Sequence, residues 1–277
     1  MTIHWVGTGL SAVPGLRRLL KGQTPVAVWN RTVEKAREAA RQRGERLREM
    51  GVDVEQKTSI SDVVTDADRA AERFVAGVLE AVCPEDGILG EEGAARESQS
   101  GRTWVIDPVD GTYNFSSGSD YWCSALALTD ATGITLGAVH RPAMGYTWFG
   151  GRDYPTSLDG KEVSRLAAQP AKQISLSTYL HPTSLMDGDI RGAWQRVAEN
   201  FATVRMLGAG SVDLSSVADG TWGAWMQHSV ADWDWFPGKA LIEAAGGAAR
   251  KVEAGGVEWC LAGNKQVVQQ MEEWLRG

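Results

Sequence analysis

The 277-residue chain reads as an α/β protein of the α+β kind, on three observations. Short apolar, β-rich runs recur around 103–107, 122–129, 134–140 and 146–149, and Asp130-Ala-Thr-Gly133 suits a hairpin turn; together they predict an antiparallel sheet. A helix over 66–82 flanks that sheet, because Ala67, Ala70, Ala71, Phe74, Val75, Val78, Leu79 and Val82 share one helical stripe. After Asp159-Gly160 strand-like and helical stretches alternate. A hydrophobic content of 43% over this length buries a substantial core, as one large domain or two closely joined ones.

In chain order, Ile3 to Val6, Gly7-Thr-Gly9, a helix-like Leu16 to Leu20 and Val26 to Trp29 trace the opening βαβ of a dinucleotide-binding domain. Gly7 and Gly9 would form the phosphate turn, and Arg31 would suit the 2′-phosphate of NADP. The segment resembles the start of NADP-dependent oxidoreductases such as saccharopine-dehydrogenase-like proteins. Such a fold needs several more parallel strands, whereas this chain turns into a charged helix from Thr32 to about Met50. Residues 1–31 therefore read as an appended Rossmann-like fragment ahead of an NADP site. Beyond the sheet come a strand from Ile174 to Tyr179, a helix from Ala193 to Phe201 and another around 211–219. A helix over 238–245 is stopped by Gly246-Gly247, and a final amphipathic helix carries Val267, Val268, Met271, Trp274 and Leu275.

Three acidic clusters carry the chemistry: Glu91-Glu92, the run Asp107-Pro-Val-Asp-Gly-Thr112, and Trp233-Asp234. Trp104-Val105-Ile106 reads as a buried strand that ends where oxygen ligands begin. Pro108 stiffens the turn, Gly111 removes a Cβ beside the backbone, and Thr112 to Phe115 opens a helix whose amides suit phosphate oxygens. Each cluster has a plain alternative: a solvated loop for Glu91-Glu92, an acidic β-turn for Asp107 to Thr112, and aromatic packing among Trp222, Trp225, Trp233, Trp235 and Phe236 for the third. Likewise Asp66 and Asp68 suit an ordinary helix N-terminus. Carboxylates and a phosphomonoester dianion repel one another, so their convergence is sensible only with hard cations between them; all-oxygen ligands favour Mg²⁺ or Mn²⁺ over zinc.

The run Asp107 to Thr112, with Gly90-Glu91-Glu92, Trp233-Asp234 followed by Pro237-Gly238 and Glu243-Ala-Ala-Gly-Gly247, and Lys57 with Asp62-Val-Val-Thr-Asp-Ala-Asp68, resembles the inositol monophosphatase family of magnesium-dependent, lithium-sensitive phosphatases. The resemblance covers roughly residues 35–277. It implies a layered α-β-α-β-α sandwich of the inositol monophosphatase and fructose-1,6-bisphosphatase type, with a phosphatase domain over 32–277 and subdomains of about 32–170 and 171–277. It also implies two or three Mg²⁺ ions. Glu91, Asp107 and the Val109 carbonyl would hold one, and Asp107, Asp110 and Asp234 a second, with Asp107 bridging. A metal-activated water would attack phosphorus, with Thr112 and Asp68 as a proton relay and Glu91 beside them, while the amides of Gly111 and Thr112 hold the phosphate. Asp110, Gly210, Ser211 and Gln227 would line the leaving-group pocket. Relatives that hydrolyse inositol phosphates carry an acid where this chain has Gln227, which puts inositol specificity in doubt. Inositol monophosphate ranks first as substrate and histidinol phosphate second, ahead of other sugar or nucleotide phosphates; a homodimer is the analogous expectation.

A formal charge of −7 argues against nucleic acid as a partner. No apolar run is long enough to span a bilayer and no leader marks export, so a cytoplasmic enzyme with no membrane partner is expected. Cys83, Cys123 and Cys260 read as reduced thiols, and His4, His140, His181 and His228 lack metal-ligand spacing. The competing functions are an NADP-binding oxidoreductase or sensor and a non-catalytic metal-binding protein; the retained acidic set speaks against the second.

Overall fold

The computed structural model describes residues 66–277 and the backbone of two short paired strands before them, β1 (Glu55–Gln56) and β2 (Val63–Val64). The Rossmann-like fragment with Gly7, Gly9 and Arg31, the helix over 32–50 and Lys57 lie outside the described residues. The predicted helix is α1 (Asp66–Val82), but its buried face is Asp68, Glu72, Val75 and Leu79, while Ala70 and Phe74 of the predicted stripe are exposed; Val75 and Leu79 pack on Ile88, Trp104, Ile106, Leu126 and Leu136. Those partners belong to β3 (Gly87–Gly90), β5 (Thr103–Asp110), β6 (Cys123–Asp130) and β7 (Gly133–Arg141). With β4 (Ala95–Arg96), β8 (Tyr146–Gly151), β9 (Tyr154–Leu158) and β10 (Lys161–Glu162) they build an eight-stranded sheet ordered β10-β9-β8-β7-β6-β5-β3-β4. All neighbours in it are antiparallel except β3 and β5. The predicted hairpin holds: Asp130 pairs with Gly133 across two residues.

The second sheet is ordered β12-β11-β13-β15-β14 and is mixed, its β11 (Ser175–Thr178) lying parallel to both β12 (Thr203–Arg205) and β13 (Ala224–His228). Its β14 (Ala248–Ala254) and β15 (Val257–Gly263) form an antiparallel hairpin, and β15 continues antiparallel onto β13. The aromatic stretch at 222–225 is thus partly a strand, not packing alone. Strand alternation sends Trp225, Cys260 and Ala262 to one face, and Met226, Trp259 and Leu261 to the other. The first face packs on α5 (Gly210–Ala218) and α6 (Asp232–Ala244), which in turn cover Cys123, Ala125, Val139 and Trp148 of the first sheet. The second face packs on α4 (Gly188–Ala198), which follows the short α3 (Pro182–Met186), and on α7 (Lys265–Arg276) through Ala193, Val197, Val267, Met271 and Leu275. The layers therefore run α1, sheet, α5 with α6, sheet, α4 with α7.

Helix α6 begins six residues earlier than the predicted 238, with Pro237 inside it. Proline removes one intrahelical bond, but burial of Trp235, Pro237, Ala240, Leu241 and Ile242 between the sheets outweighs that loss. This early start puts Asp234 in a first helical turn. Helix α4 likewise starts at Gly188, earlier than the predicted 193, because the Asp187 carboxylate accepts the amides of Asp189 and Ile190 as its cap.

Candidate active site

In a regular strand Asp107 and Asp110, three positions apart, would point to opposite faces of β5. They do not, because β5 carries a bulge: Asp107 opposes Ala125 and Asp110 opposes Cys123, three residues against two. Pro108 sits in the bulge, where a missing ladder donor costs least, and its carbonyl accepts the Ser124 hydroxyl at 2.7 Å. The first turn of α6 adds Asp234, and oxygens of Asp107, Asp110 and Asp234 come within 4.8 Å of one another. Glu91, at the end of β3, opens on the same cleft as Asp110 and Asp234.

Asp107 is 1% exposed, and neither of its carboxyl oxygens has a hydrogen-bond partner among the described residues. Burial, then the charges of Glu91, Asp110 and Asp234, push its carboxyl well above the usual range. A carboxyl so buried and without a donor is unfavourable by itself and fits a group that brings positive charge and accepts oxygen ligands. Asp110 is better satisfied. The amides of Ser211 and Gly210, at the start of α5, donate to it at 2.5 and 3.2 Å, and the Cys123 thiol lies 3.7 Å away. Burial still raises its carboxyl pKa, against the pull of those donors.

Gly111 has a left-handed φ of 87°, and a Cβ there would press on Ala209, the Gly208 carbonyl and the Tyr121 carbonyl. Close packing and backbone shape thus require glycine, ahead of ligand access. It precedes the short helix α2 (Thr112–Ser116). The Thr112 hydroxyl lies 3.1 Å from the fully buried Asp68 carboxylate on α1 and 2.9 Å from the Val109 carbonyl; its single proton serves these two acceptors in turn. Gly210 and Gln227 line the cleft with Gly111 and Thr112. Ser211 is fully buried, giving its amide to Asp110 while its hydroxyl finds no partner among the described residues.

Of the buried acids not singled out from the sequence, Glu72 and Asp213 bear on the site. Glu72 on α1 is 3% exposed and accepts the amides of Glu92 at 2.8 Å and Ala94 at 2.7 Å, pinning the loop that carries Glu91. Its signal was an acid four residues after Asp68, on the inward face of one helix. The other is Asp213, on α5, which accepts the Tyr121 hydroxyl at 2.6 Å and the Ser177 hydroxyl at 2.5 Å. Burial raises its carboxyl to about 7; the two hydroxyls and Arg141 pull it down and Asp110 pushes it up. A folded pKa above the unfolded value near 3.9 means that the native state holds the proton the unfolded state has released. Stability from this group is therefore lost as pH rises from about 4 to 7. Thermal melts of Asp213→Asn should fall less between pH 5 and 8 than those of the parent; parallel curves would remove Asp213 as the cause.

Residues 24–275 match the model of the Inositol monophosphatase family. A histidinol-phosphatase of Mycobacterium tuberculosis is 35% identical over 66% of this chain and 72% of its own length. An inositol-1-monophosphatase of Caulobacter vibrioides is 28% identical over 88% of this chain and 99% of its own. Among solved structures, the extragenic suppressor protein SuhB of Bartonella henselae superposes with a TM-score of 0.78 at 22% identity, over 87% of this chain and 94% of that one. The match spans both sheets and every acidic residue of the cleft: the chain belongs to the inositol monophosphatase family, and the two phosphatases named above are phosphoric monoester hydrolases.

Proposed function

We propose that the chain hydrolyses a small phosphomonoester in a Mg²⁺-dependent reaction. The observation that carries this reading is the buried, unpartnered Asp107 carboxylate set against Glu91, Asp110 and Asp234. Glu91, Asp107 and the Val109 carbonyl suit one hard cation, and Asp107, Asp110 and Asp234 a second; Mn²⁺ fits the same oxygen set. When bound, such cations supply the charge that lets a phosphate dianion approach carboxylates and the Lewis acidity that eases loss of a proton from water. The chain's own residues do the rest. The Thr112 hydroxyl, bonded to Asp68, orients the attacking water and passes its proton towards that carboxylate, a contribution of about 10²–10⁴-fold in rate. Amides of Gly111 and Thr112 hold the phosphate, and the alcohol leaves into the cleft lined by Gly210 and Gln227.

Candidate alcohols are inositol and histidinol, whose phosphate esters give two relatives their names. Cytoplasmic location, a homodimer and lithium inhibition belong to the same reading by family analogy; among the described residues no helix is long and apolar enough to cross a membrane. The test is phosphate release from a panel of monoesters with Mg²⁺ or excess chelator. Release should vanish with chelator and fall by about 10³-fold or more in Asp234→Asn, the scale of losing a principal electrostatic contact. Turnover that survives both treatments overturns the assignment.

A further inference from the structure

Resting on the phosphatase reading, we propose that the cleft selects a phosphomonoester whose alcohol carries a planar aromatic ring, neutral or cationic, and no second anionic group. The cleft, of about 550 Å³, is lined by Glu91, Asp110 and Asp234 and by an aromatic and apolar wall of Tyr113, Tyr179, His181, Met206 and Leu207. Three of these expose much apolar surface to solvent, Tyr113 at 53%, Met206 at 43% and Leu207 at 37%. The rings of Tyr179 and His181 meet edge to face with centroids 6.4 Å apart and line the same cleft.

Three ligand classes can be compared on this wall. An aromatic ring gains edge or stacked contacts with the tyrosines and covers the apolar rim, and a positive charge on it is welcome over a ring face. A polyol needs hydrogen-bond partners around its whole circumference, and the wall of Tyr113, Tyr179, His181, Met206 and Leu207 offers only the polar tips of three of its five side chains. Of the two amide side chains in the cleft, Asn114 already spends its Nδ2 on the carbonyls of Tyr121 and Leu207 at 2.8 and 2.7 Å, which leaves its Oδ1 and Gln227. Hydroxyls set against Met206 and Leu207 would lose water and gain nothing. A second phosphate fares worse, since no lysine or arginine lines the cleft among the described residues while Glu91, Asp110 and Asp234 do.

The experiment measures kcat and KM of the full chain with Mg²⁺ for L-histidinol phosphate, 2-phenylethyl phosphate, myo-inositol 1-phosphate and fructose 1,6-bisphosphate. Both aromatic esters should exceed the inositol ester in kcat/KM by about 10-fold or more, with the bisphosphate poorest. Tyr113→Ala and Tyr179→Ala should raise KM for the aromatic esters by about 3–10-fold with kcat little changed, the worth of one aromatic pair, and Phe at either position should restore it. An inositol ester turned over as well as the aromatic ones, or tyrosine variants that weaken all four esters alike, overturns this inference and leaves the phosphatase reading standing. Absence of hydrolysis of every ester defeats the phosphatase reading and this inference with it.

Discussion

Asp107→Asn is expected to abolish Mg²⁺-dependent phosphate release and, in the same protein, to raise the melting temperature of the metal-free chain. The two effects have one cause. At 1% exposure the Asp107 carboxylate has no donor among the described residues and faces three further acids, so in the absence of a cation its charge opposes folding. Its folded pKa stands above the unfolded value near 3.9, and stability is therefore lost as pH climbs from about 4 through that raised value. Asparagine keeps the shape, removes the charge, and offers an amide to Asp110, Asp234 and Glu91. Every kcal/mol so relieved should appear as about 2–4 °C in a domain of this size. Against this, a cation that binds only the native parent adds stability in proportion to the logarithm of its concentration, and the variant should lose most of that increment. Scanning calorimetry with chelator and with Mg²⁺ separates the two. A variant no more stable than the parent in chelator, yet still shifted upward by Mg²⁺, would show that the acidic cluster is not the cation site.

Much of this site is legible because its residues are contiguous. The strand over 103–110, the turn chemistry of Asp107 to Thr112 and the helix opening at Thr112 follow from local rules. Local rules could not supply the bulge. A regular β5 would have sent Asp107 and Asp110 to opposite faces, and only pairing with β6 shows that an extra residue turns both towards α6. The start of α6 was obscured for a related reason: Pro237 argues against a helix around it, and burial between two sheets overrides the argument. The hairpin of β14 and β15 was a different kind of miss, since its signal was present. Gly255-Gly256, with φ of 59° and 77°, is a two-residue turn between alternating strands, the strongest short-range hairpin pattern after Asn-Gly and Asp-Gly. Asp213 had no such signal. An acid between Val212 and Leu214 looks like the polar edge of a helix until Tyr121 and Ser177 arrive from distant segments.

Glu72→Ala should produce the second large effect, and of a different character: a weaker response to Mg²⁺ with chemistry largely intact. Glu72 touches no cleft surface; its two carboxylate oxygens take the amides of Glu92 and Ala94, and so fix the backbone from which the Glu91 side chain reaches the cleft. The fit is close enough that any side chain at Gly90 would collide with the Glu72 carboxyl, so the glycine and the acid make one device. Truncation leaves two half-buried amides without acceptors, at about 1–3 kcal/mol each, and frees the loop. Supports of this kind typically cost about 10–100-fold in metal affinity when removed, and that is the expected rise in the Mg²⁺ concentration for half-maximal activity. At saturating Mg²⁺ kcat should return towards that of the parent, which Asp107→Asn cannot do at any concentration. Glu72→Gln, which keeps one acceptor, should fall between parent and alanine variant. Because simple destabilisation would lower the melting temperature without moving the Mg²⁺ dependence, the titration is the decisive readout. An unchanged half-maximal concentration in a folded Glu72→Ala protein would reduce Glu72 to a packing residue.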